Sequence, residues 1–413
     1  MASKERNSYI DIMKGILIIL VVFGHLPFFE YNSRTLTLVY SFHMHAFVII
    51  GGYLSHINKD TKLSTIILKR IKSSLIPYFL YYLITFIIIP TTHDQMIRAI
   101  LVVIKGIGIP PDNALNLPLW FLTYYFSVMT LYEVLQYTSF KINKYVYKKN
   151  ILKKEYKYFV DIITLIFIII IMTISFRYAR VYKLVRLPYN IEIAGFSLLF
   201  VFIGNMLKKY LTPHFDISKM HSRKNVIILS ISTLLVLVLW YILSMKNGRI
   251  DLNARDYKNA FLMYINAILG FILLSISTFF VDKLPEISDS LLNIFIGDNV
   301  SYIKNNKVLT NNEFTTNLVK IVTTISLKIK ILFCFLGENS IYILAFHIPS
   351  TFYRNAFIIP FLPISLQQML FHNSIPSIIL LTSFGIIFSI IMSRIIKRLK
   401  FIIIKIINDV HKK

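Results

Sequence analysis

The first apolar run, Asn7 to Phe29 (NSYIDIMKGILIILVVFGHLPFF), limits most sharply what this chain can become. It is unbroken aliphatic or aromatic sequence from Ile16 to Phe23, and the whole run can cross a hydrocarbon core of about 30 Å. Yet it carries Asp11, Lys14 and His25. Ionisable groups are costly at that depth, so such a helix must face a protein interior or a wet cavity. At about 100° per residue, Lys14 and His25 lie roughly 20° apart around the axis, with Asp11 within about 60° of both. One polar stripe results, with Lys14 near one end and His25 near the other, about 16 Å apart. A cleaved signal peptide is not expected, because no small-residue site follows and apolar segments continue toward the C-terminus.

Composition points the same way. Of 413 residues, 56% are hydrophobic and 16% charged, and the mean hydropathy is +0.64. Soluble domains are nearer about 45–50% apolar and about 25% charged. The formal net charge of +25 would suggest nucleic acid in a soluble protein. Here the basic residues sit in short gaps between apolar runs, the pattern of cytoplasmic loops beside anionic lipid, so no nucleic-acid partner is expected. The single cysteine, Cys334, lies in an apolar run and reads as packing.

Further apolar runs occupy 36–54, 75–89, 117–137, 158–176, 191–207, 226–243, 260–280, 331–350 and 378–396. Residues 97–109 are apolar but short, and read as re-entrant or interfacial. The most basic gap, 141–157, sets the orientation as cytoplasmic. By alternation, the gap from Lys59 to Lys72, the residues Lys208, Lys209, Lys219, Arg223 and Lys224, and the basic tail also fall inside. Arg177, Arg180, Lys183 and Arg186 fall outside; either the count is off by one nearby or these cations serve an anionic or sugar ligand. The polar, Asn-rich stretch 281–329 reads as the least ordered part of the chain.

The expected fold is all-α: a polytopic transmembrane helix bundle of about ten spans with both termini cytoplasmic, in the plasma membrane. Residues 1–280 form its core, 281–329 a cytoplasmic polar insertion, and 330–413 the last two spans with a basic cytoplasmic tail. This topology gathers scattered polar residues at the outer ends of the spans: His25, His43, His45, Trp120, Glu192, Asp251, Asn253, Arg255 and His347. His43 and His45 lie about 200° apart, so only one of them can face a common site. Histidine is the natural general base for acyl transfer to a hydroxyl, with an unperturbed pKa of about 6.5. No spacing of metal-ligand type occurs, so no metal is expected. Gly51 and Gly52 read as places of close helix approach.

The segment Arg6 to His25, R-x-x-x-Y-x-D-I-x-K-G-I-x-I-x-L-V-V-x-G-H, resembles the opening signature of the acyltransferase-3 membrane family, especially its fucose 4-O-acetylase-like branch. The resemblance continues in order through SFHMHAFVIIGGYL (41–54), Arg70 with Pro77-Tyr78, LPLWFL (117–122), LPYNIEIAGFSLLFVFIGNML (187–207), NGRIDL (247–252), YINAILG (264–270) and GENSIYILAFH (337–347). It implies transfer of an acetyl group from acetyl-CoA to a sugar hydroxyl of a surface glycan, with His25 as the catalytic histidine. Lys14 stands where many relatives have Arg, and the resemblance favours His43 over His45.

The resulting candidates are His25, Asp11 and Lys14 for catalysis and Lys14, Arg70 and Lys72 for the anionic donor. His43, Trp120, Glu192, Asp251 and His347 are candidates for the acceptor. Arg70 suits either the CoA phosphates or a structural role. The expected partners are acetyl-CoA, a glycan or lipid-linked sugar and membrane lipid, with self-association left open. Acetyl against another acyl group, and the route by which it crosses, stay open as well. The rival classes are a transporter or flippase for lipid-linked sugars, and a sensor or scaffold without chemistry.

Overall fold

The computed structural model describes residues 7–30, 32–58, 60–107, 116–149, 157–182, 185–212, 223–296, 301–304, 307–309 and 313–410. Lys59, Lys153, Lys154, Lys183 and Lys219 of the basic gaps lie outside the described residues, as does part of the Asn-rich stretch.

Helix after helix follows the apolar runs. They are α1 (Ser8–Gly24), α2 (Arg34–Tyr40), α3 (His43–Leu54), α4 (Leu63–Arg70), α5 (Ile76–Ile88), α6 (His93–Lys105), α7 (Trp120–Lys148), α8 (Lys157–Val181), α9 (Ile191–Met206), α10 (Arg223–Asn247), α11 (Ala260–Ile296), α12 (Glu313–Glu338), α13 (Ser340–Phe357), α14 (Ile364–Phe371) and α15 (Ile375–Val410). A two-stranded ribbon, Ser301–Lys304 with Lys307–Leu309, is the one sheet among the described residues. Among those residues, seven helices are long and apolar enough to cross a membrane, or eight if the bent pair α12–α13 is one span. The protein is therefore an all-α polytopic membrane bundle.

Two departures from the sequence reading have local causes. Run 331–350 is not one straight helix: it bends by 80° between α12 and α13. At the break, the Asn339 Oδ1 accepts from Ser393 Oγ at 3.1 Å and Lys397 Nζ at 3.0 Å, so α15 satisfies polar groups that a straight helix would not need. The polar stretch 281–329 is in large part helical, because α11 and α12 run on beyond their apolar cores. In keeping with the short run expected at 97–109, residues 97–105 lie in α6, a helix of 13 residues opened by a Thr92 capping box and closed at Gly106 in the left-handed conformation. At about 20 Å it is too short to span.

Lipid tails are as apolar as leucine, so helices in a bilayer gain little from burying apolar surface and associate through close packing. Two crossings show this. A Cβ at Gly337 of α12 would lie 1.8 Å from the Asp11 carbonyl oxygen of α1, and one at Gly15 of α1 would lie 2.2 Å from the Phe333 oxygen of α12. The α3–α9 crossing has the same reciprocal form: Gly52 meets the Val201 oxygen at 2.0 Å, and Gly204 meets the Ile49 oxygen at 1.9 Å. Around these crossings, Tyr124, Tyr132, Phe196, Phe200 and Phe346 are fully buried. The outer faces of α8 and α10 expose isoleucine, leucine and valine, as a lipid-facing surface requires.

Candidate active site

The helices α3, α7 and α9 each begin at one end of the bundle and finish at the other. His43, Trp120 and Glu192 open them, whereas Ser55, Gln136 and Asn205 lie at or toward their far ends, roughly 18 to 24 Å along the axes. The helix α1 runs the opposite way, placing Asp11 and Lys14 at one end and His25 at its C-cap. Two polar regions result.

At the histidine end, the rings of His25 and His347 meet edge to face at 5.0 Å. His43 lies within electrostatic reach of His25. Each of the three rings is held in the same way. His25 Nδ1 donates to the Val21 carbonyl at 2.8 Å, His43 Nδ1 to Val39 at 2.7 Å and His347 Nδ1 to Ile343 at 2.9 Å. A carbonyl only accepts, so Nδ1 carries the proton and, in the neutral ring, Nε2 presents the basic lone pair. Nε2 of His347 is buried without a partner. His45 differs: neither ring nitrogen has a partner, and the ring packs on Phe200 at 4.6 Å.

Charges surround this trio. The Arg249 guanidinium lies 4.0 Å over the Tyr40 ring and 3.5 Å from Asp251. The Tyr40 ring meets His43 edge-on at 4.9 Å, and its hydroxyl donates to the Gly24 carbonyl at 3.5 Å, beside His25. Both Asp251 and Arg249 act electrostatically on His25. Glu192 pairs with Arg255 at 2.8 Å. Arg186 donates to Asn253 at 3.2 Å, so this member of the anomalous basic cluster shares the histidine end, while Arg177 and Arg180 are exposed on α8. Burial, with the Arg255 charge beside it, pushes the Arg186 guanidinium below its ordinary range. Burial, reinforced by Glu192, holds the Tyr257 phenol well above its own. Trp120 is buried in an aromatic stack, 5.5 Å from Tyr124 and 6.3 Å from Phe121.

The other end is a cavity of about 620 Å³, lined by Lys141, Lys144, Lys208 and Lys209 together with Gln136, Asn143, Asn205, Asp60 and Asp161. Asp161 accepts from Lys209 at 2.6 Å and from Tyr210 at 2.5 Å. Asn143 is buried and its Oδ1 has no partner. Beside the cavity, Arg70 forms a bidentate ion pair with the buried Glu133, which also accepts from Ser55 at 2.9 Å. A π-helical turn, Ile71–Leu75, follows Arg70 directly, and Lys72 on that turn is exposed. Asp11 and Lys14 lie 3.5 Å apart at the far end of α1, Asp11 buried beneath α12.

The structure thus gathers His25, His43, His347 and Asp251 in one region, with Glu192 on α9 beside the loop that carries Arg255. It separates them from Asp11, Lys14, Arg70 and Lys72. Sequence reasoning passed over Glu133, Tyr40, Arg249 and Arg354, although an ionisable Glu133 inside an apolar run was a visible signal.

A model of the acyltransferase 3 family, described as an acyltransferase domain, matches residues 7–303. No curated protein and no solved structure matches the chain. The match spans most of the 413 residues and takes in His25, His43 and the loop that carries Arg249 and Asp251. The chain belongs to the acyltransferase 3 family and is a multi-pass membrane acyltransferase.

Proposed function

We propose that the protein is an O-acetyltransferase of the fucose 4-O-acetylase-like branch. It would move an acetyl group from cytoplasmic acetyl-CoA to a hydroxyl of a cell-surface or lipid-linked glycan. His25 acts as general base. The observation that carries this reading is the tautomer: the Val21 carbonyl fixes the His25 proton on Nδ1 and leaves Nε2 to accept the proton of an attacking hydroxyl. As that proton arrives the ring becomes cationic; the carboxylate of Asp251, acting from the adjacent loop, favours this charge and the guanidinium of Arg249 paired with it opposes it. No covalent enzyme intermediate is required: the hydroxyl oxygen attacks the thioester carbonyl, CoA leaves as the thiolate, and the imidazolium returns the proton to it. His347 and His43, each presenting Nε2, orient the acceptor around His25.

The donor enters from the lysine-lined cavity. Its nucleotide end is anionic, and Lys141 and Lys144 are exposed at the rim while Asn143 offers an unpartnered amide oxygen within. Arg70 braces the wall of this cavity through Glu133. The pantetheine arm and acetyl group must then cover the roughly 20 Å that separates the two ends.

The test compares the O-acetyl content of the surface glycan in cells lacking the protein, cells carrying wild type and cells carrying His25→Ala, with membrane levels matched. Acetylation restored by wild type alone supports the assignment. Equal O-acetylation in all three strains would sink it.

A further inference from the structure

We propose that Arg354 is an anion anchor within the acceptor site, so that the acceptor carries a carboxylate or phosphate close to the hydroxyl presented to His25. The proposal rests on the acyltransferase reading of that cleft. Arg354 belongs to α13 and is 5% exposed. Its Nε donates to Asn355 Oδ1 at 3.1 Å, an uncharged partner. Other secluded arginines are treated differently: Arg70 faces Glu133, Arg249 faces Asp251 and Arg255 faces Glu192. Among the described residues, no carboxylate lies within ion-pair distance of Arg354. A guanidinium taken out of water without a counter-ion is costly, so its place implies an anion that arrives with a ligand.

The place is specific. Arg354 lines a narrow cleft of about 10 Å³ together with His25, His347, Ser350 and Thr351, so a bound acceptor must part its walls. The Ser350 hydroxyl donates to the His347 carbonyl at 2.5 Å and the Thr351 hydroxyl to that of Ile348 at 2.7 Å, so both are turned to the backbone. Across the same cleft, His347 Nε2 is buried and unpartnered. His347 precedes Arg354 by seven residues, which returns to the same helix face two turns, or about 10 Å, along the axis. Arg354 and the two histidines line the same cleft from α13 and the end of α1. A guanidinium serving the developing oxyanion would instead sit against the reacting carbonyl at His25. The offset therefore fits a permanent charge on the acceptor.

The experiment measures equilibrium binding of three probes to the full-length purified protein: methyl β-glucoside, methyl β-glucuronide and glucose 1-phosphate. Wild type is expected to bind at least one of the acids about tenfold more tightly than the neutral glycoside. Arg354→Gln is expected to bring that acid to the level of the glycoside, and Arg354→Lys to keep part of the preference while guarding against misfolding. The carboxylate and phosphate arms tell the two sources of charge apart. Equal binding of all three probes by wild type, no saturable binding of either acid, or a preference that survives Arg354→Gln would overturn the proposal. Acetyl-CoA is then added. An Arg354-dependent preference without acetyl transfer leaves the anion site standing and removes the reaction; acetyl transfer without such a preference does the reverse.

Discussion

The two ends of the bundle handle polarity in opposite ways. At the histidine end, charges meet counter-charges, Glu192 with Arg255 and Asp251 with Arg249, and each of three rings has one nitrogen fixed on a carbonyl. The cleft between His25 and His347 is narrow, and a Cβ at Gly385 would already lie 3.7 Å from that of His347. At the lysine end, the cavity is wide, Lys141 and Lys144 are exposed, and the firmly bonded groups lie in its wall. Pre-oriented groups held away from water suit bond-making, whereas exposed cations suit capture of an anion and act through a field that salt screens. On the proposed function, one end serves chemistry and the other retention.

The contrast can be tested from its strongest consequence downward. His25→Gln should cut acetyl transfer by about 10²–10⁴-fold, the usual range for losing a general base. Donor binding by the same variant, measured by equilibrium dialysis, should stay at the wild-type level; if both fall together, the two ends are not separate. Glu133→Gln leaves the Arg70 charge buried without its partner and should lower stability by about 3–5 kcal/mol, read as thermal unfolding in detergent. Activity per folded molecule should survive, which distinguishes a brace from a catalytic group. Reversing charge at the cavity rim, Lys141→Glu with Lys144→Glu, should raise the KM for the donor about tenfold at low salt and less at high salt, with kcat unchanged. A fall in kcat instead would place reacting atoms at the lysine end. His45→Leu should have the smallest effect, within about 1 kcal/mol of wild type in stability and neutral in rate, because it removes two buried nitrogens that bond to nothing.

The helical membrane fold was legible because hydropathy decides it: backbone polar groups in lipid must be satisfied within the segment, and long apolar runs leave few alternatives. His25 and His347 were placed at one level by counting along a straight run 331–350; that run bends by 80°, and the two rings meet at 5.0 Å all the same. What periodicity could not supply was partners. Asn339 sits in an apolar run with no proline beside it, and the groups that stabilise its bend, Ser393 and Lys397, lie on α15, more than fifty residues away. Glu133 was visible as a carboxylate inside a span, yet its pairing with Arg70 depends on how α4 and the following π-helical turn sit against α7. The choice between His43 and His45 was left to family resemblance. Packing shows the reason for their divergence: a rotation of about 200° turns one ring toward His25 and the other onto Phe200.

The reciprocal glycine crossing of α1 and α12 has a consequence for how the protein is made. Asp11 is buried beneath Gly337, but Gly337 is translated 326 residues later, the difference between the two positions. At roughly 5–20 residues per second, α1 waits about 15–65 s in the membrane before the helix that covers its polar stripe exists. In the folded bundle Lys14 lies 3.5 Å from Asp11, a contact within one helix that can form before α12 exists. Their mutual attraction is thus a provisional shelter during synthesis, and a variant such as Asp11→Ala should betray itself first as poor insertion of newly made chains.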